Sequence, residues 1–313
     1  MKNKIAIVDM GTNTFHLLIA EAEGTAFNIT YRDRLAVKIG MGGINDGIIT
    51  EAGIHRALLA MQSFGNTIRE HGVEHVYAFG TSAMRNAKNS ADVVHRIKNL
   101  TGIDVNLISG DEEANYIYEG VRAALGLGHE KNLIIDIGGG SVEFIIGNED
   151  QVFWKKSFEI GAQRLLEIFQ KHDPILQEEL TALNDYFEKA LQDLFQAIEQ
   201  HKPKVLVGSS GTFDTLSDIF CIQHDIHKTF EEVETPLTIE GFYDIYREIV
   251  VKNRDQRMQI PGMLGMRVDM IVVACSLIKF LLEKFEFNRI RVSTYSLKEG
   301  VLAHFSRTTI RPR

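Results

Sequence analysis

Two segments of the chain repeat one pattern: residues 5–20 (IAIVDMGTNTFHLLIA) and residues 133–147 (LIIDIGGGSVEFIIG). Each contains an apolar run, an Asp, one further residue, a Gly, several small residues and a second apolar run. Apolar runs on both sides of a glycine-containing stretch predict a strand, a tight loop and a returning strand. The repetition predicts two similar halves that face one another across a cleft.

The small residues of the two loops predict phosphate binding, because they leave backbone N–H groups open to an anion. Glycine also allows a close approach of the backbone and a positive φ. Asp-Gly and Gly-Gly turns occur in many hairpins that bind nothing, so a single copy would favour a structural explanation. Two matching copies favour function. The candidate phosphate-binding residues are Gly11, Thr12 and Asn13 in the first loop and Gly138, Gly139, Gly140 and Ser141 in the second.

Carboxylates at the predicted strand ends indicate a divalent cation. Asp9 and Asp136 end the first strand of their hairpins, and Glu143 lies on the returning strand of the second hairpin. Across that hairpin, Glu143 is expected to lie near Asp136. Two carboxylates together with phosphate oxygens and water would suit Mg²⁺.

A helix start at residues 109–114 (SGDEEA) supplies a candidate base. Ser109 and Glu112 fit a capping box, and acidic residues in a first turn are common for structural reasons alone. The capping box leaves Glu113 without a local role. A carboxylate beside a phosphate cleft could orient and deprotonate a water molecule.

Two further segments place small or basic residues after a predicted strand. In residues 80–85 (GTSAMR), Thr81 or Ser82 would cap a helix and Arg85 could reach a phosphate, although this segment taken alone favours a solvated surface arginine. Lys38 is a similar, weaker candidate. In residues 207–212 (VGSSGT), the candidates for a further phosphate or a nucleotide are Ser210, Gly211 and Thr212. A plain strand-to-helix turn would explain this segment as well.

Alternating strands and helices predict an α/β architecture with mixed sheets. Helices are expected from Thr50 to about His71, at 110–125, and continuously over 177–201, with the domain boundary at residues 126–132 (GLGHEKN). The predicted domains are therefore residues 1–128 and 129–313.

Composition excludes several classes of function. The 313 residues carry a formal charge of −8, which argues against binding to a nucleic acid polymer or to anionic membranes. The 11 histidines show no zinc-ligand spacing, and the two cysteines form no paired motif. Without a recognisable signal peptide, a cytoplasmic location is expected.

The chain resembles the Ppx/GppA phosphatases, which are exopolyphosphatases and guanosine pentaphosphate phosphohydrolases. The segments that carry the resemblance, in family order, are residues 5–20, FGTSAMRNA, ISGDEEA, residues 133–147, GAQRL, VGSSGT, IPGMLGMRVDMI and SLKEGVL. The chain departs from the family pattern at Lys38, Asn115 and Lys298, where the family usually has Arg. It resembles the short, two-domain members, without the C-terminal helical extension of long exopolyphosphatases.

This resemblance implies two actin-like (ribonuclease H-like) domains with the active site between them. It implies Glu113 as the base on the attacking water, Asp136 and Glu143 as ligands of Mg²⁺, Asp9 near the metal, and Arg85 in contact with phosphate. The implied substrates are inorganic polyphosphate and guanosine pentaphosphate, and a homodimer is possible. Two alternatives stay open: a sensor that binds the nucleotide without hydrolysing it, and a small-molecule kinase of the same superfamily.

Overall fold

A computed structural model describes residues 4–23, 26–229 and 231–308, which form two mixed β-sheets flanked by helices. The elements of the first half are β1 Lys4–Met10, β2 Thr14–Glu23, β3 Ala26–Ala36, α1 Glu51–Glu70, β4 His75–Gly80, α2 Ser82–Asn86, α3 Ser90–Thr101, β5 Val105–Leu107 and α4 Gly110–Leu125. Those that follow are β6 Asn132–Ile137, β7 Val142–Gly147, β8 Val152–Phe158, α5 Ala162–Phe169, α6 Gln177–Ala190, α7 Gln192–His201, β9 Val205–Ser209, α8 Ser210–Gln223, β10 Glu234–Thr235, α9 Ile239–Val250, α10 Arg254–Met258, α11 Ile271–Lys284, β11 Arg289–Ser293 and α12 Leu297–Thr308.

The two sheets share one strand order. The first runs β3-β2-β1-β4-β5 and the second runs β8-β7-β6-β9-β11-β10. In each, the opening hairpin is antiparallel (β1 with β2, β6 with β7), and its first strand also pairs in parallel with the next sheet strand, β4 or β9. The predicted duplication of the hairpin therefore extends to the topology of both halves.

Local sequence signals determine several helix ends. The Thr50 side chain accepts a hydrogen bond from the Gly53 N–H at the start of α1, and Ser109 and Glu112 form the predicted capping box of α4. The prediction of one helix over 177–201 is wrong, because the chain breaks into α6 and α7 at Leu191. Leu191 and its neighbours Phe187 and Leu194 are fully buried, so tertiary packing decides the break.

The apolar core has three parts. One lies against each sheet, and the third lies between the sheets and includes residues of α4 and α12. These two helices cross at very short range: a Cβ at Gly300 would lie 1.7 Å from the Tyr116 carbonyl oxygen, and one at Gly120 would lie 2.1 Å from that of Ser296. Only glycine permits this approach.

The predicted boundary at residues 128/129 falls between α4 and β6, where the chain passes from one sheet to the other. Helix α12 comes after the second sheet in the chain but packs against α4, β1 and β3. Within the described ranges, none of the helices combines the length and the apolar character needed to cross a bilayer.

Candidate active site

A cavity of about 100 Å³ lies between the two hairpins. Most of the residues predicted from the sequence line it, and all of these come from strand ends, loops or first helical turns. They are Asp9, Gly11, Thr12, Asn13, Glu113, Asp136, Gly138, Gly139, Gly140, Ser141, Glu143, Ser210 and Gly211. Arg85, Thr212 and the weaker candidate Lys38 do not line it. The fold therefore gathers segments far apart in sequence around one cleft.

The two loops are built in the same way. In the first, the Gly11 N–H donates to the Thr14 carbonyl oxygen at 3.2 Å, and in the second the Gly138 N–H donates to that of Ser141 at 3.0 Å. Neighbouring segments donate to the loop carbonyls, as in the bonds from Val37 to Asn13 O and from Gln163 to Gly139 O. Within the described part of the chain, the loop N–H groups of residues 12, 13, 139 and 140 have no protein acceptor. These N–H groups can bind an anion.

The loops need glycine for space. The expectation that glycine supplies a positive φ is wrong here, since none of the four loop glycines has one. A Cβ at Gly139 would lie 2.3 Å from Asn13 Nδ2, and one at Gly140 would lie 2.5 Å from the hydroxyls of both Ser82 and Thr12. The two hairpins thus touch across the cleft, and larger side chains would push them apart.

The second hairpin carries a carboxylate pair. Asp136 and Glu143 face one another in strand register, as the sequence predicted. The hydroxyls of Ser209 and Ser210 donate to Asp136 Oδ2 at 2.9 and 2.6 Å, and those of Ser141 and Ser157 donate to Glu143 Oε1 at 2.6 and 2.7 Å. Both carboxylates are therefore held in fixed positions. Ser210 itself has a φ of 67°, a backbone conformation that residues other than glycine adopt at a cost in free energy.

Burial disfavours the charged forms of these acids. Desolvation, with Asp136 nearby, raises the pKa of Glu143 to about 8, and desolvation raises the pKa of Asp9 to about 7. The pKa of Asp136 is also raised, mainly by burial. In the described residues no three Asp, Glu, His or Cys side chains form a complete metal site. The chemistry of this oxygen donor set fits Mg²⁺ when phosphate oxygens and water complete the shell.

Glu113 lies across the cleft in the first turn of α4 and is 7% exposed. Its Oε2 accepts a hydrogen bond from Arg85 at 2.8 Å. Burial raises the pKa of Glu113 well above its usual value, the charge of Glu143 adds to this, and Arg85 opposes it. A buried carboxylate whose pKa is raised and which lies in a cleft is a candidate for a general base.

Comparison with known proteins places this arrangement in a family. Residues 18–308 match the model of the Ppx/GppA phosphatase family. The chain belongs to this family. It is similar to an exopolyphosphatase of known structure from Cytophaga hutchinsonii, with 42% identity, a TM-score of 0.95 and 98% of each chain covered. An Aquifex aeolicus Ppx/GppA structure gives a TM-score of 0.80 at 25% identity and covers all of both chains. The two-domain actin-like fold predicted from the sequence is thereby confirmed.

The curated proteins similar to this Ppx/GppA chain include a pyrophosphatase and an exopolyphosphatase. The chain is 25% identical over 301 residues to the guanosine-5'-triphosphate,3'-diphosphate pyrophosphatase of Pseudoalteromonas translucida. This match covers 96% of this chain and 59% of that protein. It is 24% identical over 301 residues to exopolyphosphatase 1 of Mycobacterium bovis, which covers 96% of this chain and 87% of that protein. The chain therefore spans about three fifths of the length of the pyrophosphatase.

Sequence reasoning missed one end of the cleft of this Ppx/GppA protein. The residues there are His16, Arg34, Asp214, Arg267, Thr294, Ser296 and Lys298. Burial raises the pKa of Asp214 to about 7, although Lys298 and Arg267 oppose this shift. Arg267 fits because Gly211 has no side chain: a Cβ there would lie 2.1 Å from the guanidinium. Arg267 and Lys298 belong to segments quoted above for the resemblance, which was the available signal.

Three smaller expectations need correction. Neither Thr81 nor Ser82 caps α2 with its side chain. The Thr81 hydroxyl donates to the Met10 carbonyl oxygen at 3.5 Å, and that of Ser82 donates to Glu159 at 2.6 Å. Lys38 lies beyond the end of β3 and pairs with Asp269 at 2.9 Å, so it does not line the cleft.

Thr212 and Asn115 also occupy specific places in the fold. Thr212 is buried and lines a small cavity behind the second loop. Asn115 Oδ1 accepts a hydrogen bond from Lys155 at 2.6 Å. The usual family Arg is absent at residue 115, but Glu113 still has a cationic partner because Arg85 contacts it directly.

Proposed function

We propose that the protein is a Mg²⁺-dependent hydrolase that releases the terminal phosphate of inorganic polyphosphate or of guanosine pentaphosphate. The observation that carries this proposal is the placement of Glu113. Its buried carboxylate shares one cavity with the two anion-binding loops and with the Asp136–Glu143 pair. A base, an anion cradle and a cation site on three sides of one cavity are the parts that attack of water on a phosphoanhydride requires.

The two loops, Glu113 and Arg85 each have a role in this reaction. The free N–H groups of the two loops bind the non-bridging oxygens of the terminal phosphate and hold it in place. Glu113 orients the attacking water and takes its proton onto a carboxylate oxygen. Arg85 lowers the pKa of Glu113 against the effect of burial, which keeps a larger fraction of the base ionised. The shortened polyphosphate or the nucleoside tetraphosphate leaves with the electrons of the broken P–O bond.

The cation site belongs to the second half. Asp136 and Glu143 would hold Mg²⁺, with Asp9 of the first half near it, and the cation would supply positive charge that neutralises the phosphate oxygens. The serine hydroxyls that donate to Asp136 and Glu143 fix the two carboxylates before substrate arrives, so little reorganisation is needed.

The test is phosphate release in the presence of Mg²⁺, measured in parallel with short polyphosphate, long polyphosphate and guanosine pentaphosphate. Wild-type protein should release phosphate, and Glu113→Gln should lower kcat by about 100-fold or more, since general-base contributions are of that order. The preferred substrate would define the specificity. A variant with undiminished turnover would exclude Glu113 as the base.

The same assay separates the hydrolase from its alternatives. Binding of guanosine pentaphosphate without phosphate release would favour a sensor. Transfer of phosphate from ATP to a small acceptor would favour a kinase.

A further inference from the structure

One carboxylate at the edge of the cleft accepts hydrogen bonds from Ser82, Arg85 and Arg164, and a further hydrogen bond from Asn86 helps to lower its pKa. Glu159 lies between β8 and α5, and its Oε2 accepts from Ser82 Oγ at 2.6 Å and from Arg164 at 3.0 Å. Its Oε1 accepts from Arg85 at 3.1 Å. The donors thus converge on the position of a single small anion. The Glu159 side chain is 41% exposed, so solvent reaches it from outside the cleft.

The donors are held in place without Glu159. Arg164 also donates to the carbonyl oxygens of Gly140 and Ile44, both at 2.8 Å. Arg85 also donates to Glu113 and to the Ile108 carbonyl oxygen. Each arginine therefore directs Nη2 at Glu159, while Nη1 of both arginines and Nε of Arg164 are bonded elsewhere. Removal of the Glu159 charge would leave a preformed site for an anion.

This set of donors is continuous with the second phosphate loop. Ser82 lines the main cavity, and its hydroxyl is close enough to Gly140 that a Cβ there would lie 2.5 Å away. Arg164 bonds directly to the Gly140 carbonyl oxygen. A phosphate held by that loop would have Ser82 as its neighbour, and the next donors outward are Arg85 and Arg164.

We propose that Ser82, Arg85 and Arg164 form a phosphate-binding subsite at the rim of the cleft, which Glu159 occupies until a substrate phosphate displaces it. This inference rests on the proposed function, and it names residues that select for the ligand. A phosphate carries more charge and more acceptor oxygens than a carboxylate, so it can take over all three donors. Glu159 then turns to solvent. A ligand of low charge would bind the three donors too weakly to displace Glu159, so the subsite would favour polyanions.

The test measures binding of tripolyphosphate by calorimetry in EDTA, so that neither metal nor turnover enters the readout. The variants are Glu159→Gln and Glu159→Ala, and the matched control is Glu188→Gln. Glu188 is 49% exposed, pairs with Lys284 at 2.9 Å and lies on α6, away from the cavity lining. Both Glu159 variants should bind about fivefold more tightly than wild type, the scale of a lost exposed ion pair. Glu188→Gln should bind as wild type does.

The outcomes are distinguishable. Unchanged or weaker binding by both Glu159 variants would show that Glu159 is only a structural tie, and equal tightening in Glu188→Gln would reduce the effect to net charge. Either result overturns the subsite. If wild type releases phosphate through Glu113 while the Glu159 variants gain nothing, the subsite alone is wrong. If wild type neither binds tripolyphosphate nor releases phosphate, the proposed function is lost together with the subsite.

Discussion

The two hairpins share a backbone and differ in chemistry. Position for position, the first pairs Asp9 with His16 across its strands, and the second pairs Asp136 with Glu143. Burial lowers the pKa of His16 well below its usual value, with nearby Lys298 and Arg267 adding to the shift, so His16 is neutral. One half therefore offers a single carboxylate, whereas the other offers two.

The polar side chains of the two hairpins also differ in their hydrogen bonding. Thr12 Oγ1, Asn13 Oδ1 and Thr14 Oγ1 of the first loop are buried and have no hydrogen-bond partner among the described residues. In the second loop the Ser141 hydroxyl donates to Glu143. Buried polar atoms without protein partners are costly, so these groups are open to hydrogen bonds from a ligand or from water. Under the proposed function, the two halves would divide the work: the first would bind substrate, and the second would supply the carboxylates for a cation.

The largest expected effect separates the paired positions. Glu143→Gln should lower kcat by about 100-fold, because it removes one of two charges that would hold the cation. His16→Gln, at the equivalent position of the first hairpin, should lower kcat by only a few-fold. Steady-state phosphate release with polyphosphate at saturating Mg²⁺ measures both. Equal losses would mean that the hairpins are not divided in this way.

The pH dependence of stability gives the next effect. The pKa of Asp9 is raised to about 7 and that of Glu143 to about 8, so the folded state holds these protons more tightly than the unfolded chain. Their contribution to stability is complete below pH 4 and is lost as pH rises to 8. The Tm of metal-free protein should therefore fall by several degrees between pH 5 and 8, and Mg²⁺ should reduce the fall.

Glu143→Gln serves as the control for that measurement, because it removes one of the groups responsible. Its Tm should fall less steeply with pH than that of wild type. His16→Gln should steepen the fall, because folded His16 is neutral while the unfolded chain protonates it at acid pH, a difference that opposes the fall in wild type. A flat wild-type profile would contradict the raised pKa values.

A smaller effect concerns the contact between the hairpins. Gly140→Ala places a methyl group 2.5 Å from two hydroxyls of the opposite half, whereas Gly11→Ala meets only the Thr14 carbonyl oxygen of its own loop, at 2.9 Å. Gly140→Ala should therefore lower kcat/KM by about tenfold through misplacement of the loops. Gly11→Ala should act mainly on Tm. The comparison fails if Gly11→Ala lowers kcat/KM more than Gly140→Ala does.

The smallest expected effect is on the free energy of unfolding, which one variant should raise and the other should lower. Thr12→Val removes a buried hydroxyl without a partner, and we expect it to raise the free energy of unfolding by about 1 kcal/mol. Ser141→Ala removes a hydrogen bond to a carboxylate and should lower that free energy by about 1 kcal/mol. Urea unfolding of the two metal-free variants measures both values. Destabilisation by Thr12→Val would show that its hydroxyl has a protein partner after all.

Local patterns predicted the parts of the site that lie within single segments. The hairpins, the pairing of Asp136 with Glu143 and the capping box of α4 follow from short-range spacing, and the structure confirms them. The roles of Asp9, Glu113 and the loop residues stay predictions. Spacing could not show that Glu159 binds Ser82 and Arg85, because that contact joins a strand end to a helix of the other half.

Tertiary packing also explains the errors. The sequence of residues 177–201 has good helical periodicity, but burial of Leu191 interrupts it. Thr81 stands at a helix start where a cap is usual, yet its hydroxyl lies close to the Met10 carbonyl oxygen at the end of β1. Arg267 precedes α11 and Lys298 lies in the first turn of α12. Both line the cleft, and the spacing of residues within either segment does not indicate this.

The crossing of α4 and α12 at Gly120 and Gly300 has a consequence for how the protein acquires its activity. Helix α4, which carries Glu113, is completed early in synthesis. Helix α12, which packs against it at Gly120 and Gly300, is made only after both sheets. Until α12 has been made, α4 lacks the surface against which Gly120 packs. Folding of the candidate base into place is therefore tied to long-range closure, which is a slow step.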